Sequence, residues 1–221
     1  MISIAIDGPA GAGKSTIAKE ASKRLSYIYV DTGALYRAIA YYMVKNNISG
    51  DEFIVLSLKD IKIDLNFING EQRVFLCGED VSEKIRTPEI SMNASKISAI
   101  PEVRNFLLDL QRNIAKNNNI IMDGRDIGTV VLPFADVKIF LTASIEKRAK
   151  RRYIELTQKG VLCNYDEVLK DMKKRDSDDS NRKTAPLRPA NDAIIIDTSE
   201  CSLDESIELI LNTIKNKLRQ V

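Results

Sequence analysis

Two patterns of apolar residues alternate along this chain. Short apolar runs rich in β-branched residues predict five strands, at residues 2–6, 28–30, 120–122, 138–141 and 193–196. Longer segments with apolar residues at helical spacing predict seven helices, at residues 14–25, 34–46, 90–100, 103–116, 145–158, 166–178 and 203–218. This alternation favours an α/β fold with a five-stranded parallel sheet flanked by helices. Ligands of such folds bind at the carboxyl ends of the strands.

Residues 61–81 depart from this pattern. Apolar and polar residues alternate there with a period of two around Asn69-Gly70. Asn-Gly between two alternating runs is a strong signal for a tight turn, so the segment predicts an antiparallel hairpin. We expect a small antiparallel β insert beside the main domain.

Composition narrows the class of protein further. The 221 residues are 44% apolar and 29% charged, which is typical of one globular domain. The 33 basic and 31 acidic residues nearly balance, so we do not expect general binding to nucleic acid or to a membrane. No apolar run has the length of a membrane span, and no signal-peptide region follows the first methionine. We therefore expect a cytoplasmic protein.

Cysteine and histidine content excludes several kinds of chemistry. Cys77, Cys163 and Cys201 are far apart and form no CxxC pair, which argues against a disulfide framework and against a structural zinc site. We expect them to be small buried apolar residues in a reducing compartment. The chain has no histidine, so a histidine base and a histidine-bound metal are excluded.

The segment IDGPAGAGKST carries the most specific motif. Gly8, Gly13, Lys14 and Ser15 match the P-loop pattern between a predicted strand and a predicted helix. Backbone N–H groups of such a loop surround phosphate oxygens, Lys14 reaches the transferable phosphates, and the Ser15 hydroxyl can ligate Mg²⁺. The motif predicts a site for a nucleoside triphosphate, made of Gly8, Pro9, Ala10, Gly11, Ala12, Gly13, Lys14, Ser15 and Thr16.

The P-loop alone does not decide the reaction, because GTP-binding switches share it. This chain has no glycine with an aspartate three positions before it, and it has no Asn-Lys-x-Asp quartet. The Leu-Ser-Gly-Gly stretch of ABC-type ATPases is absent as well. A kinase with a small acceptor is therefore favoured, and a non-enzymatic nucleotide-dependent switch is the alternative.

The segment VDTGALYRA follows the second predicted strand. It places Asp31, Thr32, Tyr36 and Arg37 at the carboxyl edge of the sheet, where an acceptor would lie. A structural interpretation is also open, in which Asp31 or Thr32 caps the following helix and Arg37 is simply solvated.

The segment SIEKRAKRRYIEL is a predicted helix rich in cations. Arg148 lies three and four residues before Arg151 and Arg152, so the three side chains would share one face and repel each other. Two interpretations are open. The helix is either an ordinary solvated surface or a mobile lid that brings cations to the transferring phosphoryl group.

The segment KKRDSDDSNR places Arg175, Asp179 and Arg182 on one stripe, provided that the helix continues this far. One interpretation is a salt-bridge ladder of small value for stability. The other is a site in which Asp179 accepts hydrogen bonds from ligand hydroxyls while the arginines bind phosphate in a bidentate manner.

Taken together, the motifs indicate a family. GPAGAGKST, DTGALYR, GEDVSEKIRT, DGRDIGTVV and KRDSDDSNR resemble the motifs of the bacterial cytidylate kinases over nearly the whole chain. The resemblance implies an adenylate-kinase-like P-loop fold with a core (1–58, 88–147 and 166–221), a monophosphate-binding insert (about 59–87) and a short helical lid (about 148–165). It also implies transfer of the γ-phosphoryl group of ATP to CMP or dCMP, with Mg²⁺, by a monomer of pyrimidine nucleotide metabolism.

The resemblance assigns roles to individual residues. It implies a catalytic set of Lys14, Arg125, Arg148, Arg152 and Arg175. It implies a CMP-binding set of Thr32, Tyr36, Arg37, Ser95, Arg104, Arg125, Asp126, Arg175, Asp179 and Arg182. Tyr36, Arg37 and Arg125 would serve the acceptor phosphate, and Asp179 and Arg175 the sugar. The cytosine edge would fall to Ser95, Arg104 and Asp126, with Arg182 near the base and the phosphate.

This assignment agrees with the chemistry of cytosine. Cytosine has an amino donor where uracil has a carbonyl, so a buried Asp126 would discriminate by about 1 to 3 kcal/mol. The acceptor phosphate is already a nucleophile at neutral pH, so direct in-line transfer needs no general base. A kinase of UMP, AMP or a non-nucleotide metabolite is the alternative.

The segment NIIMDGRDIGTVV joins the two sites. We expect Asp123 to end a central strand beside the P-loop, where it orders a water on Mg²⁺ or the loop itself. Gly124 would allow a sharp turn. Arg125 and Asp126 would then point to the acceptor, one toward its phosphate and one toward its base.

Overall fold

The computed structural model describes residues 1–68, 70–158 and 160–219. Its strands are β1 (Ser3–Asp7), β2 (Ile28–Asp31), β3 (Ile63–Ile68), β4 (Glu71–Leu76), β5 (Glu79–Asp80), β6 (Ile120–Gly124), β7 (Val137–Thr142) and β8 (Ile194–Asp197). Its α-helices are α1 (Lys14–Leu25), α2 (Thr32–Lys45), α3 (Asp51–Ser57), α4 (Pro88–Ile97), α5 (Pro101–Asn117), α6 (Ile145–Gln158), α7 (Tyr165–Asn181) and α8 (Leu203–Leu218). There is also a 3₁₀ turn, Leu58–Asp60, and a π-helical turn, Ile127–Val131.

The main sheet has five strands in the order β2-β6-β1-β7-β8, and all neighbouring strands are parallel. Side chains alternate between its two faces, as strand geometry requires. On β1, Ile4 and Ile6 pack with α1 and α8, whereas Ala5 packs with residues of α5 and of the π-helical turn. The predicted five-stranded parallel sheet flanked by helices is thereby confirmed.

The insert forms a second sheet of three antiparallel strands in the order β3-β4-β5. Ile68 pairs with Glu71 across the turn, so the predicted hairpin pairing is confirmed. The turn residue Asn69 lies outside the described residues. Ile63 and Val74 of this sheet share one hydrophobic cluster with helices α2, α4 and α5. The insert is therefore packed onto these helices and has no separate core.

Two short elements were not predicted. Helix α3 has only two turns and is followed at once by the 3₁₀ turn, so its sequence contains too few helical repeats for a period to be recognised. The π-helical turn begins at the residue after Asp126. Such turns are rare in proteins and are often found at functional sites.

The described part of the chain contains no helix with both the length and the apolar character needed to cross a membrane. Cys77, Cys163 and Cys201 carry free thiols. Cys77 is exposed, while Cys163 and Cys201 are partly exposed, so the expectation of buried cysteines is wrong. Cys77 occupies a tight turn after β4 with a positive φ of 50°.

Candidate active site

The P-loop lies between β1 and α1. Gly8, Gly11 and Gly13 have φ values of 149°, 72° and 90°, which other residues rarely adopt. A Cβ atom on Gly8 would lie 2.0 Å from the carbonyl oxygen of Leu141, so the close approach of β7 also requires glycine there. Helix α1 starts without a side-chain cap and without an acidic residue in its first turn. Its free N–H groups and positive end are therefore suited to an anion.

Lys14 is buried at the start of α1, and its Nζ donates to the carbonyl oxygen of Pro9 at 2.8 Å. Burial lowers the pKa of the Lys14 ammonium well below its usual value. The charges of Arg125 and Arg175 lower this pKa further, which means that three cations converge at this place. A polyanion such as a nucleotide phosphate would relieve their repulsion.

Three neighbouring strands carry a buried aspartate at or next to their last residue: Asp31 on β2, Asp123 on β6 and Asp7 on β1. Their carboxylates have different partners, and each fixes a different part of the site. Since carboxyl ends of parallel strands lie at one edge of the sheet, this edge carries three acidic anchors behind the cationic groups.

Asp123 contacts the P-loop serine. Ser15 Oγ donates to Asp123 Oδ2 at 2.9 Å, and the Tyr29 hydroxyl donates to Asp123 Oδ1 at 2.9 Å. Burial, aided by the negative charge of Asp31, raises the pKa of Asp123 to about 6, while Lys14 opposes this rise. The hydroxyl and carboxylate oxygens of Ser15 and Asp123 are the hard donors that Mg²⁺ prefers.

Within the described residues, no group of three or more histidine, cysteine or acidic side chains could hold a metal ion. A Mg²⁺ ion is usually held by one or two protein oxygens together with substrate phosphates and waters. The donor set of Ser15 and Asp123 is therefore compatible with the predicted ion.

Gly124 follows Asp123 as the last residue of β6, and the chain bends directly after it, as expected. Its φ is not positive; the requirement for glycine comes from packing. A Cβ atom at this position would lie 2.7 Å from Ile127 Cδ1 and 2.8 Å from Thr32 Oγ1. Thr32 Oγ1 donates to the carbonyl oxygen of Asp123 at 2.8 Å, so the predicted acceptor residue Thr32 is tied to the end of β6.

Asp31 holds the beginning of α2. Its Oδ1 accepts from the N–H of Ala34 at 3.1 Å, so the capping interpretation is confirmed for Asp31. A solvated Arg37 is wrong, because Arg37 NH2 lies 2.6 Å from Asp31 Oδ2 and the Arg37 side chain is 19% exposed. The main chain of Asp31 is held in turn by Gln72 of β4. The N–H of Asp31 donates to Gln72 Oε1 at 2.8 Å, and Gln72 Nε2 donates to the Asp31 carbonyl at 3.2 Å.

Arg125 and Arg175 form an arginine cluster with Asp179 between β6 and α7. Arg125 Nε donates to Asp179 Oδ2 at 3.0 Å, so Asp179 pairs across the structure as well as along its helix. Burial lowers the pKa of Arg175 to about 10, and repulsion by Arg125, Arg37 and Arg152 contributes. The Nε groups of Arg37 and Arg175 are buried and have no acceptor among the described residues. Buried donors are normally paired, so these groups are available to an anionic ligand.

Asp126 forms a second charged group with Arg104 and Arg182. Arg104 NH2 donates to Asp126 Oδ2, and Arg182 NH2 lies 3.6 Å from Asp126 Oδ1. The Arg104 guanidinium lies 5.6 Å from the centre of the Tyr36 ring, a cation–π distance. Burial raises the pKa of Tyr36 to about 12, so this hydroxyl stays protonated as a donor. These four predicted residues are brought together.

Helix α7 ends at Asn181, so the stripe predicted to run through Arg182 is interrupted. Arg182 adopts an extended backbone, yet its NH1 returns to 3.9 Å from Asp179 Oδ1. Ser95 lies on α4, and its carbonyl accepts from Ser98 Oγ at 2.8 Å. The carbonyl of Ser98 accepts from Arg104 NH1 at 3.1 Å, which joins the end of α4 to the group formed by Arg104, Asp126 and Arg182.

The arginines of α6 point to different partners, although the sequence predicted a shared face. Arg148 is buried, and its NH1 donates to the carbonyl of Ala10 at 3.0 Å and lies 2.6 Å from Asp176 Oδ2. Arg151 donates to the carbonyl of Thr198 at 2.8 Å. Arg152 pairs with Glu155 at 2.8 Å. The solvated-surface interpretation is therefore wrong for Arg148, which ties α6 to the P-loop.

Three residues of this site were missed from the sequence. They are Asp7, Tyr29 and Gln72, and all three act on other protein groups. Asp7 and Asp31 each directly follow a predicted strand of the parallel sheet, and that common position was an available signal. Tyr29 and Gln72 gave no such signal, because their partners lie far away in the sequence.

A P-loop facing an arginine cluster is typical of phosphoryl-transfer enzymes. The family model for cytidylate kinase matches residues 4–216. The cytidylate kinase of Caldicellulosiruptor bescii is 52% identical, over 98% of this chain and 99% of that protein. The cytidylate kinase of Caldanaerobacter subterraneus subsp. tengcongensis is 53% identical, over 99% and 96%. This chain belongs to the cytidylate kinase family, which confirms the resemblance found in its motifs.

A solved structure supports the fold alone. The uncharacterized protein from Eubacterium ventriosum aligns with 97% of this chain and 98% of its own. The TM-score is 0.54 at 14% sequence identity.

Proposed function

We propose that this chain transfers the γ-phosphoryl group of ATP to CMP or dCMP, which gives ADP and CDP or dCDP. The observation that carries the proposal is the convergence of the buried Lys14 with the partly buried Arg125 and Arg175, three cations that repel one another at the carboxyl edge of the sheet. A site built this way is suited to a ligand with several phosphate charges. Membership of the cytidylate kinase family supports CMP as the acceptor.

The donor would bind to the P-loop. Residues 8–16 offer backbone N–H groups and the positive end of α1 to the phosphates of ATP. Ser15, with Asp123 through water, would hold Mg²⁺, which supplies neutralisation of the phosphate charge when bound. Lys14 would turn from the carbonyl of Pro9 to the transferring phosphoryl group.

The acceptor would bind on the other side of Arg125. Tyr36, Arg37 and Arg125 would hold the phosphate of CMP, and Asp179 with Arg175 would bind the sugar. Thr32 would lie beside this phosphate site, because its hydroxyl group is bound to the carbonyl oxygen of Asp123. Asp126 would accept from the amino group of cytosine, while Arg104, Ser95 and Arg182 would hold the rest of its edge. The contact of Asp126 with Arg104 supports this role, because it holds the Asp126 side chain in place.

Transfer would be direct and in line. The acceptor phosphate is anionic at neutral pH, so the chain would have to position it and neutralise charge, without abstracting a proton. Lys14, Arg125 and Arg175 would contact the transferring group. Arg152 would approach with the lid, and Arg148 would hold the P-loop through the carbonyl of Ala10.

We propose that the insert (about 59–87) and the lid (about 148–165) close over the substrates and limit hydrolysis of ATP. The proposed lid begins inside α6, so its motion would bend or tilt this helix. We also propose that the enzyme acts as a monomer in the cytoplasm.

A coupled assay of ADP release tests the proposal. ATP and Mg²⁺ are supplied with CMP, dCMP, UMP or AMP as the single acceptor, and the products are identified by chromatography. We expect CMP and dCMP to give the highest kcat/KM. A preference for UMP or AMP would contradict the acceptor assignment. Release of ADP at the same rate without any acceptor would indicate a nucleotide-dependent switch.

A further inference from the structure

We propose that Asp7 is a positioning residue that sets the preference of this enzyme for cytosine, by fixing the acceptor segment 125–128 to the strand that carries the P-loop. This inference rests on the proposed function. Nothing in the P-loop pattern requires this residue, because Asp7 precedes the first glycine of the motif.

The carboxylate of Asp7 is bound by two consecutive main-chain amides. The N–H of Ile127 donates to Asp7 Oδ1 at 2.7 Å, and the N–H of Gly128 donates to Asp7 Oδ2 at 2.7 Å. The Asp7 side chain is buried. Each oxygen is used by a different amide, so the carboxylate fixes both the distance and the orientation of this segment.

The two amides follow Asp126 directly. The carbonyl of Asp126 accepts from the N–H groups of Val130 at 2.9 Å and Val131 at 3.2 Å, in the π-helical turn. Asp7 holds the start of this π-helical turn, because it accepts from the N–H groups of its first two residues, Ile127 and Gly128. The backbone of Asp126 is therefore fixed by the turn and by Asp7, and its side chain is held by Arg104. A shift of the two amides would move the carboxylate that is proposed to read the base.

Asp7 also joins the two sides of the reaction. It is the last residue of β1, and Gly8 of the P-loop follows it in the chain. In the sheet it pairs with Gly124, which precedes Arg125. The donor loop and the acceptor segment are thus connected through one side chain, and not only through the ladder of the sheet.

The electrostatic environment of Asp7 agrees with this role. Burial raises its pKa to about 6, and the nearby charge of Asp126 contributes, while the two amides and Lys14 lower it. Burial of a carboxylate costs free energy unless its oxygens are hydrogen-bonded. The two main-chain amides each donate to a different oxygen of Asp7, and an asparagine could not replace it fully because its NH2 group cannot accept where the second oxygen accepts.

The test replaces Asp7 with its isosteric amide. We expect Asp7→Asn to lower the ratio of kcat/KM for CMP to kcat/KM for UMP at least fivefold and to raise the KM for CMP. Binding of ATP in the absence of acceptor should change less than twofold. A purely structural role would instead lower the rates with CMP and UMP by the same factor, and that result would overturn the proposal.

The matched control is Asp136→Asn. Asp136 Oδ2 accepts from the N–H of Ser3 at 2.7 Å, so this carboxylate binds the main chain at the opposite end of the same strand. The control should leave the CMP-to-UMP ratio unchanged. An equal fall in both variants would overturn the proposal, because the effect would then come from β1 in general.

A second variant decides the question if Asp7→Asn does not fold. Asp7→Glu keeps the negative charge but carries it on a side chain that is one methylene longer, so the carboxylate can no longer hold the N–H groups of Ile127 and Gly128 in their present place. A fall in the CMP-to-UMP ratio would support the proposal, and an unchanged ratio would overturn it. A wild-type enzyme without any preference for CMP would contradict the proposed function itself, and with it this inference.

Discussion

The proposed donor side and the proposed acceptor side of this site are built in opposite ways. The donor side is one continuous segment, residues 8–16, which offers main-chain N–H groups and one buried lysine. The acceptor side draws side chains from α2, α4, α5, α7 and the end of β6, and its main tools are arginines and carboxylates. A loop that binds phosphate through its main-chain N–H groups depends only on local geometry. A site made of side chains from several elements depends on the whole fold to bring them together.

The two sides also differ in how their charges are held. Lys14 has the carbonyl of Pro9 as its hydrogen-bond partner. On the acceptor side the cations are held by acids from distant segments, as in Arg125 with Asp179 and Arg104 with Asp126. The difference suggests that the two substrates can be impaired separately, and the following predictions test this.

Lys14→Ala should have the largest effect. We expect kcat to fall by about three orders of magnitude or more, because one charge at the transferring phosphoryl group is lost. The fold should remain, since the variant removes a buried charge that is costly in the free protein. Steady-state kinetics and circular dichroism would check both expectations.

The control for this variant lies one turn further along α1. Lys19 forms an exposed ion pair with Glu71, so Lys19→Ala should leave kcat unchanged. Near-normal turnover of Lys14→Ala would contradict the role assigned to the lysine.

The second-largest effect should be a pH-dependent difference in the free energy of unfolding between Asp7→Asn and the wild-type protein. Asp7 has a pKa of about 6 in the folded protein and an ordinary value of 3.8, so the folded state binds its proton more tightly. The stability contributed by protonated Asp7 is complete below about pH 4 and is lost as the pH rises through about 6. Asn does not titrate, so the free energy of unfolding of Asp7→Asn, relative to wild type, should rise by up to about 3 kcal/mol from pH 4 to pH 7.

Urea unfolding of both proteins at several pH values would measure this difference. The pKa of Asp123 is also raised to about 6, but Asp123 is present in both proteins, so its contribution to the difference cancels. A difference that stays constant between pH 4 and pH 7 would contradict the burial of a titrating carboxylate between the two sides.

Gln72→Ala should have the smallest effect. Gln72 holds the main chain of Asp31, and Asp31 holds Arg37, so its loss should loosen one contact to the acceptor phosphate. We expect the KM for CMP to rise about two- to fivefold, which corresponds to about 0.5 to 1 kcal/mol for one hydrogen-bonded contact. The KM for ATP should not change.

Glu71→Ala is the control for Gln72→Ala. Glu71 is the neighbouring residue on β4, and its side chain forms only an exposed ion pair with Lys19. This variant should behave like wild type. If Gln72→Ala raised the KM values for ATP and CMP equally, the contact would matter for the whole fold and not for the acceptor side.

The two sides also differ in how far the sequence could predict them. The P-loop was evident from spacing alone, since Gly8, Gly13, Lys14 and Ser15 act within one segment. For Arg37 and Arg148 the sequence left two interpretations open, a solvated surface position and a role in the site, and only the fold showed the partners of these side chains. Ser95 and Arg104 came only from the family resemblance, because nothing near them in the sequence marks a polar site.

The omissions have a common physical cause. Gly124 was expected at a turn, but its small size is also needed for the packing of Ile127 and Thr32 against it. Asp7 and Gln72 were missed because their partners are main-chain groups about 120 and 41 positions away. Contacts of this kind depend on topology, and a linear pattern does not record them. The strands and long helices were predicted well, because hydrophobic periodicity is a local property.

The central claim is that the acceptor side reads cytosine through a carboxylate that takes no part in binding the donor. The most direct test is kcat/KM for CMP and for UMP in wild type and in Asp126→Ala, with the KM for ATP measured in parallel. We predict that the preference for CMP falls by about five- to 150-fold, the equivalent of about 1 to 3 kcal/mol, while the KM for ATP stays within about twofold. An unchanged preference for CMP in a folded variant would contradict the claim.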